Sequence, residues 1–217
     1  MRPIFFYTGV FLVGCSTLML EIIQTRILSV VVWYHLAFFV ISLAMFGLTA
    51  GAVWVYLRHA RFTEKTLSYD LAYFSGLFAL ATAICLGVQM TLAPVITTAM
   101  TTVWIWTELA ICLSIPFFFS GVVLSLALTR SPFPVGRVYG VDLLGAAIGC
   151  LGALLLLNFT DGPSAVLWVA AFVAGGALAF STSGIGKAPD QKPALHSCLR
   201  HHYWIVSILV ICALINP

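Results

Sequence analysis

The chain has 217 residues, of which 62% are hydrophobic and only 8% are charged, with a net charge of +3 and a mean hydropathy of +1.09. A soluble domain carries roughly a quarter charged residues, so this composition excludes a water-soluble globular protein and predicts a polytopic membrane protein. The length allows about seven spans of ~20 residues with short loops. We therefore expect the lipid bilayer to surround the chain, and we expect no nucleic acid among its binding partners.

Seven apolar runs follow one another and predict a single all-α domain, a bundle of about seven transmembrane helices. Gly47 and Gly51 form a GxxxG pair in the second run, and Pro116 with Gly121 interrupts the fourth, where we expect a kink. The last run is too short to cross the membrane unless it begins near Leu199. The predicted spans are about 4–23, 30–57, 71–93, 103–129, 138–158, 164–180 and 200–216.

The basic residues indicate the orientation of the chain. If the loop from Arg58 to Lys65 is cytoplasmic, all of the ten Lys and Arg residues except Arg26 fall on the cytoplasmic side. Cytoplasmic loops carry an excess of Lys and Arg, so we predict a cytoplasmic N-terminus. We also expect the chain to reside in a bacterial cytoplasmic (inner) membrane. Arg2 and the apolar run ending at Cys15 also resemble a lipoprotein cleavage site. Because the apolar run continues past Cys15, we interpret it as an uncleaved first span.

Polar residues collect near the outer ends of the first four predicted spans. Carboxylates and aromatic faces attract cations, so this outer set is a candidate site for a proton or a small cationic ligand. In the alternative interpretation the same residues fasten helices together: Glu21 pairs with Arg26, and Glu108 pairs with His35 or a backbone group. The outer set consists of Glu21, Arg26, Tyr34, His35, Gln89 and Glu108.

A second polar set lies near the inner ends of spans four and five. An acid just inside a span normally has a partner, so Asp142 and an arginine can fasten these two spans. The alternative is a surface for anionic lipid head groups or for a cytoplasmic protein domain. Small residues that follow Asp142, including Gly145 and Gly149, predict close helix packing. The inner set consists of Arg130, Arg137, Tyr139 and Asp142.

No motif for catalysis or cofactor binding stands out. The sequence has no phosphate-binding glycine loop, nucleophile elbow or dinucleotide fingerprint. The six cysteines form no CxxC pair, and we interpret them mainly as small apolar residues. A cluster of His196, Cys198, His201 and His202 matches no zinc-ligand spacing, so we prefer a solvated stretch to a metal site. We predict no catalytic residue, metal or cofactor in this chain.

Three segments, 14–51, 116–129 and 136–157, resemble the membrane part of spermidine synthase-like membrane proteins. In that family a multi-span N-terminal domain precedes a cytosolic aminopropyltransferase or methyltransferase-like domain. Motif acids and bases of the family fall here on Glu21, Arg26, His35 and Asp142. The present residues contain no strand–glycine loop–helix unit for S-adenosylmethionine. The resemblance therefore implies a non-catalytic membrane domain that anchors, or assembles with, a fused or separate enzyme.

Two other functions remain open. One is a small transporter or channel for a cationic or amine substrate, such as a polyamine, which would use the outer acids and the fourth span. The other is an accessory subunit that packs against a larger membrane complex. Replacing Glu21 and Glu108 by Gln separates these interpretations, because loss of uptake by a folded protein indicates a ligand site, whereas lower expression alone indicates helix fastening.

Overall fold

The structure is a computed structural model that describes residues 3–31, 36–63, 66–91 and 100–183. Within these ranges the chain forms six long α-helices, one short 3-10 turn at His59–Arg61 and no β-strand. The helices are α1 (Pro3–Val31), α2 (Leu36–Leu57), α3 (Leu67–Thr91), α4 (Met100–Arg130), α5 (Val135–Phe159) and α6 (Gly162–Ser183).

All six helices are long and apolar enough to cross a membrane. The shortest two have 22 residues, which corresponds to about 33 Å of helix against a hydrocarbon core of about 30 Å. The predicted all-α bundle of membrane-length helices is thereby confirmed. The seventh predicted span, 200–216, lies outside the described residues.

The boundary between the first two helices differs from the predicted one. The sequence ends the first span at residue 23, but α1 continues to Val31, and α2 begins at Leu36 rather than near residue 30. Glu21 therefore lies well inside α1 and not at its end. Hydropathy ends this span too early because polar side chains at positions 21, 24 and 26 interrupt the apolar run.

Contacts between the helices define a ring of α1, α6, α3 and α4. In this ring α1 packs along α6, α6 along α3, and α3 along α4, while α1 and α4 touch over a short stretch. The remaining two helices lie against this ring, α5 along α1 and α2 along α4. Helix α4 is continuous through Pro116, which is buried.

Glycines let α2 approach α4 closely. A methyl group added at Gly51 would overlap the carbonyl oxygen of Phe118, and one at Gly47 would lie 2.6 Å from the carbonyl oxygen of Ser114. Such distances are far below van der Waals contact, so only glycine permits this backbone approach. The GxxxG pair of the second span is thus a packing motif, as small residues four apart commonly are in membranes.

The glycines of α5 make the equivalent approach to α1. A methyl group at Gly149 would overlap the carbonyl oxygen of Cys15, and one at Gly145 would lie 2.5 Å from the carbonyl oxygen of Phe11. The close packing predicted for the small residues after Asp142 is therefore present, and its partner is the first helix of the bundle.

Buried apolar residues pack together at both ends of the bundle. At the end where α1 begins, the ring of Phe6 lies 5.0 Å from that of Phe133 and 5.9 Å from that of Phe180, within the main core. At the opposite end a small separate cluster joins α1, α2 and α4. This outer cluster, a name used below, consists of Leu28, Val40, Leu109 and Leu113.

The basic residues of the described ranges are unevenly distributed between the two ends. Arg58 and Arg61 follow α2, Arg130 ends α4 and Arg137 begins α5, so these four lie at the end of the bundle where α1 begins. Arg26 lies toward the other end, on α1. This asymmetry agrees with the charge pattern from which the orientation is predicted.

Candidate functional site: a buried acid between α1 and α4

One face of α1 carries a row of residues directed toward α4. Thr17, Glu21, Gln24 and Leu28 recur at helical spacing, so they share a face. At one end of the row the hydroxyl oxygens of Thr17 and Ser120 are 2.5 Å apart in a hydrogen bond. At the other end Leu28 packs in the outer cluster with residues of α4. Glu21 and Gln24 lie between these two contacts.

Glu21 and Gln24 are buried residues of α1, 9% and 4% exposed. Across the described parts of the chain, the Oε1 atom of Gln24 accepts no hydrogen bond, and Glu21 makes neither an ion pair nor a hydrogen bond. An ionisable side chain in a membrane span is costly and is normally paired or functional. This carboxyl group is therefore the strongest chemical feature of the bundle interior.

The antiparallel register of α1 and α4 places Pro116 level with Glu21. Thr17 faces Ser120. Because the two helices run in opposite directions, Glu21, four residues after Thr17, is level with Pro116, four residues before Ser120. A proline inside a helix cannot donate to the carbonyl oxygen four residues earlier, which here belongs to Cys112. A carboxylate, an amide oxygen and a backbone carbonyl without its usual donor thus occur at neighbouring levels, a set of acceptors suited to a cation.

The second acid of the predicted outer set is not part of this arrangement. Glu108 is exposed and lies eight positions from Pro116, about 12 Å along the helix. Arg26 is also exposed, and five positions from Glu21 place it on a different face of α1. The side-chain amide of Gln89 is buried near the end of α3 with no hydrogen-bond partner in the described ranges. Tyr34 and His35 lie outside the described residues.

The inner set is divided in a similar way. Asp142 lies two turns inside α5, against Gly14 of α1, whereas Arg137 and Tyr139 are exposed. A guanidinium nitrogen of Arg130 donates to the carbonyl oxygen of His59 at 3.1 Å. This bond ties the end of α4 to the turn after α2. In the described part of the chain neither arginine pairs with Asp142, so an Asp–Arg link between spans four and five is not observed.

Three residues that define this site, Gln24, Thr17 and Ser120, do not stand out in the sequence. Gln24 is adjacent to Glu21 on the helix surface, and its spacing of three residues is visible in the sequence. The contact between Thr17 and Ser120 joins residues 103 positions apart, and no local pattern indicates it.

Metal binding has no support within the described ranges, where no group of three His, Cys, Asp or Glu side chains is placed to hold an ion. The histidine-rich stretch at 196–202 lies outside them. Cys15, Cys85, Cys112 and Cys150 are free thiols inside helices.

Together, the fold and this site define an integral, multi-pass α-helical membrane protein with a buried acid that has no basic partner among the described residues. No protein-family model matches the chain, and neither a curated protein nor a solved structure shows significant similarity to it.

Proposed function

We propose that the chain is a transporter domain for a small cation of the ammonium or amine class, which binds at Glu21 and Gln24. The observation that carries the proposal is Glu21, a residue that is 9% exposed and has no basic partner in the described part of the chain. A cationic ligand supplies the charge that the surrounding helices lack, and it removes the cost of an isolated carboxylate in the membrane.

The neighbouring acceptors fit the hydrogen-bonding needs of such a ligand. An ammonium group carries up to three N–H donors and no acceptor. The carboxylate of Glu21 and the Oε1 atom of Gln24, which has no donor among the described residues, provide two such acceptors on one face of α1. Hydrogen bonds between a cation and a carboxylate are among the stronger ones in proteins, so this arrangement favours an amine over a neutral solute.

The test is uptake of radiolabelled methylammonium and diaminobutane by vesicles that contain the full chain. We expect uptake by the parent protein, loss of uptake in Glu21→Gln, and retention in Glu108→Gln, which removes the same charge from an exposed position of α4. The absence of uptake of both amines by the parent, or equal uptake by parent and Glu21→Gln, contradicts the proposal. Equal amounts of protein in the membrane are confirmed for each variant.

A second candidate is an anchoring domain of the spermidine synthase-like type, with a fused or separate cytosolic enzyme as partner. One observation favours it: residues in the resembling segments build the helix contacts. Gly14 lies against Asp142, and Gly149 lies against Cys15. Residues that hold the bundle together are what an anchor requires.

The intact mass and activity of the native polypeptide discriminate the two candidates. The present chain has a mass of 23.5 kDa. A much larger native polypeptide with aminopropyl or methyl transfer activity supports the anchoring domain. A polypeptide near that mass that takes up amines without a partner contradicts it.

A further inference from the structure

The contacts of the first three helices mirror those of the last three. When α1, α2 and α3 are exchanged with α4, α5 and α6, the pair α1–α5 becomes α4–α2, and the pair α1–α6 becomes α4–α3. Both members of each pair are among the extensive contacts of the bundle. The pairs α3–α6 and α1–α4 are converted into themselves. This pattern is that of two halves related by a two-fold axis.

The glycine contacts agree with the exchange at the level of single residues. Gly51 of α2 lies against Phe118, and Gly149 of α5 lies against Cys15. Phe118 and Cys15 are therefore equivalent, with 118 − 15 = 103 positions between them. The first glycines of the two pairs give the same difference: they are Gly47 against Ser114 and Gly145 against Phe11.

The hydrogen bond between α1 and α4 locates the axis. Thr17 and Ser120 are also 103 positions apart, so they are equivalent residues in contact with each other. Equivalent residues meet only on the axis that relates the halves. Each half has three crossing helices, and an odd number reverses the direction of the second half. The axis therefore lies in the plane of the membrane, as in transporters built from inverted repeats.

The buried apolar residues at the two ends of the site belong to different clusters. Among the described residues, the outer cluster lies between Glu21 and the Arg26 end. The equivalents of Leu109 and Leu113, 103 positions earlier, are Phe6 and Val10, and both belong to the large main core. The equivalent of Val40, by the offset of the glycine pairs, is Val138, also in the main core. The two halves therefore hold equivalent residues in different surroundings.

We infer that residues 3–91 and 100–183 are inverted-topology repeats that exchange conformations, and that the outer cluster is the gate between Glu21 and the Arg26 end of the bundle. The exchange converts the Thr17–Ser120 contact into itself, so this contact is the pivot. It converts Val40, Leu109 and Leu113 of the outer cluster into Val138, Phe6 and Val10 at the opposite end, so the gate opens as the other end closes. This inference rests on the proposed function only for the identity of the ligand.

Accessibility of position 24 tests the gate without any substrate. Gln24→Cys is produced in the full chain, and right-side-out and inverted vesicles are treated with the impermeant cationic thiol reagent MTSET. Modification is read by peptide mass spectrometry relative to the buried native Cys85. We expect Leu28→Ala with Leu109→Ala to raise the rate from the Arg26 side at least about tenfold, equivalent to about 1.4 kcal/mol in the gate equilibrium. We expect a lower rate from the opposite side.

Leu126→Ala is the matched control, because Leu126 is a buried leucine of the same helix that belongs to the main core. It is expected to leave the rate from the Arg26 side unchanged. An unchanged rate in the gate variant, an equal increase in Leu126→Ala, or a rise from both sides together overturns the inference. If amine uptake fails while the sided increase is present, the substrate assignment is wrong and the gate stands.

Discussion

The two halves of the bundle share one arrangement of helices but differ in their polar residues. Both halves place a GxxxG pair against the backbone of a partner helix. Only the first half carries an acid and an amide on the face of its first helix, Glu21 and Gln24. At the equivalent positions of α4 the second half has Leu124 and Ala127. The packing glycines are therefore present in both halves, whereas the acid and the amide are present only in the first half.

This difference separates the requirements of folding from those of binding. Every closely packed helix pair needs small residues at its contact, so both halves need their glycines. A single acid beside the axis, in contrast, can serve both conformations, since each state presents it to one end of the bundle. A second acid at position 124 would add another carboxyl group without a basic partner to the bundle and raise the cost of burying charge.

The largest effect is expected from moving the acid between the halves. Glu21→Leu removes the partner of a buried cation, which typically costs about 3–5 kcal/mol, so uptake falls by about a hundredfold or more. Adding Leu124→Glu to this variant returns a carboxyl group to the equivalent position, and we expect amine uptake to recover partly. Vesicle uptake measures both steps. If the double variant is as inactive as Glu21→Leu, the equivalence of α1 and α4 at this level is contradicted.

The next effect compares the duplicated glycines. Gly51→Leu and Gly149→Leu both force a side chain into the backbone of a partner helix, and overpacking of this kind typically costs about 1–3 kcal/mol. We expect similar decreases in thermal stability in detergent, followed by size-exclusion chromatography after heating. Gly140→Leu, at a site of α5 with no atom within 4 Å of an added methyl group, is the control and should change little. A marked difference between the first two variants would count against equivalent halves.

The smallest effect is expected at the pivot. The hydroxyl groups of Thr17 and Ser120 share one buried hydrogen bond, and such bonds between membrane helices are worth about 0.6 kcal/mol on average. A double-mutant cycle with Thr17→Ala, Ser120→Ala and both together measures the coupling in unfolding free energy. We expect a small positive coupling with uptake retained in all three variants. Complete loss of uptake in the single variants would show that these hydroxyls bind the ligand.

Hydropathy and the positions of proline and glycine were sufficient to predict most of the fold. The fifth span, predicted at 138–158, is observed at Val135–Phe159, because Pro134 and Gly162 mark its ends clearly. The first span was predicted too short, because Glu21, Gln24 and Arg26 lower its hydropathy although two of these side chains are buried. Hydropathy depends only on the polarity of the residues, so it does not distinguish polar residues on a buried helix face from polar residues at the end of a helix.

The candidate site was only partly predictable. Acids within membrane spans are rare, so the sequence identifies Glu21 and Glu108 as candidate site residues. Which of the two lies inside the bundle depends on which faces of α1 and α4 meet. That choice is made by contacts between distant positions, such as Thr17 with Ser120. Equivalence of the two halves was likewise hidden, since it lies in contact patterns and in two glycine pairs rather than in overall sequence similarity.

The measurement that tests the binding of a cation at Glu21 most directly is labelling with dicyclohexylcarbodiimide, which modifies carboxyl groups in apolar surroundings. We expect modification of Glu21 in membranes and protection of Glu21 by methylammonium or diaminobutane. Asp142, half-buried on α5, provides an internal reference that these amines should not protect. A Glu21 that is modified at the same rate with and without both amines would contradict a cation site in the bundle.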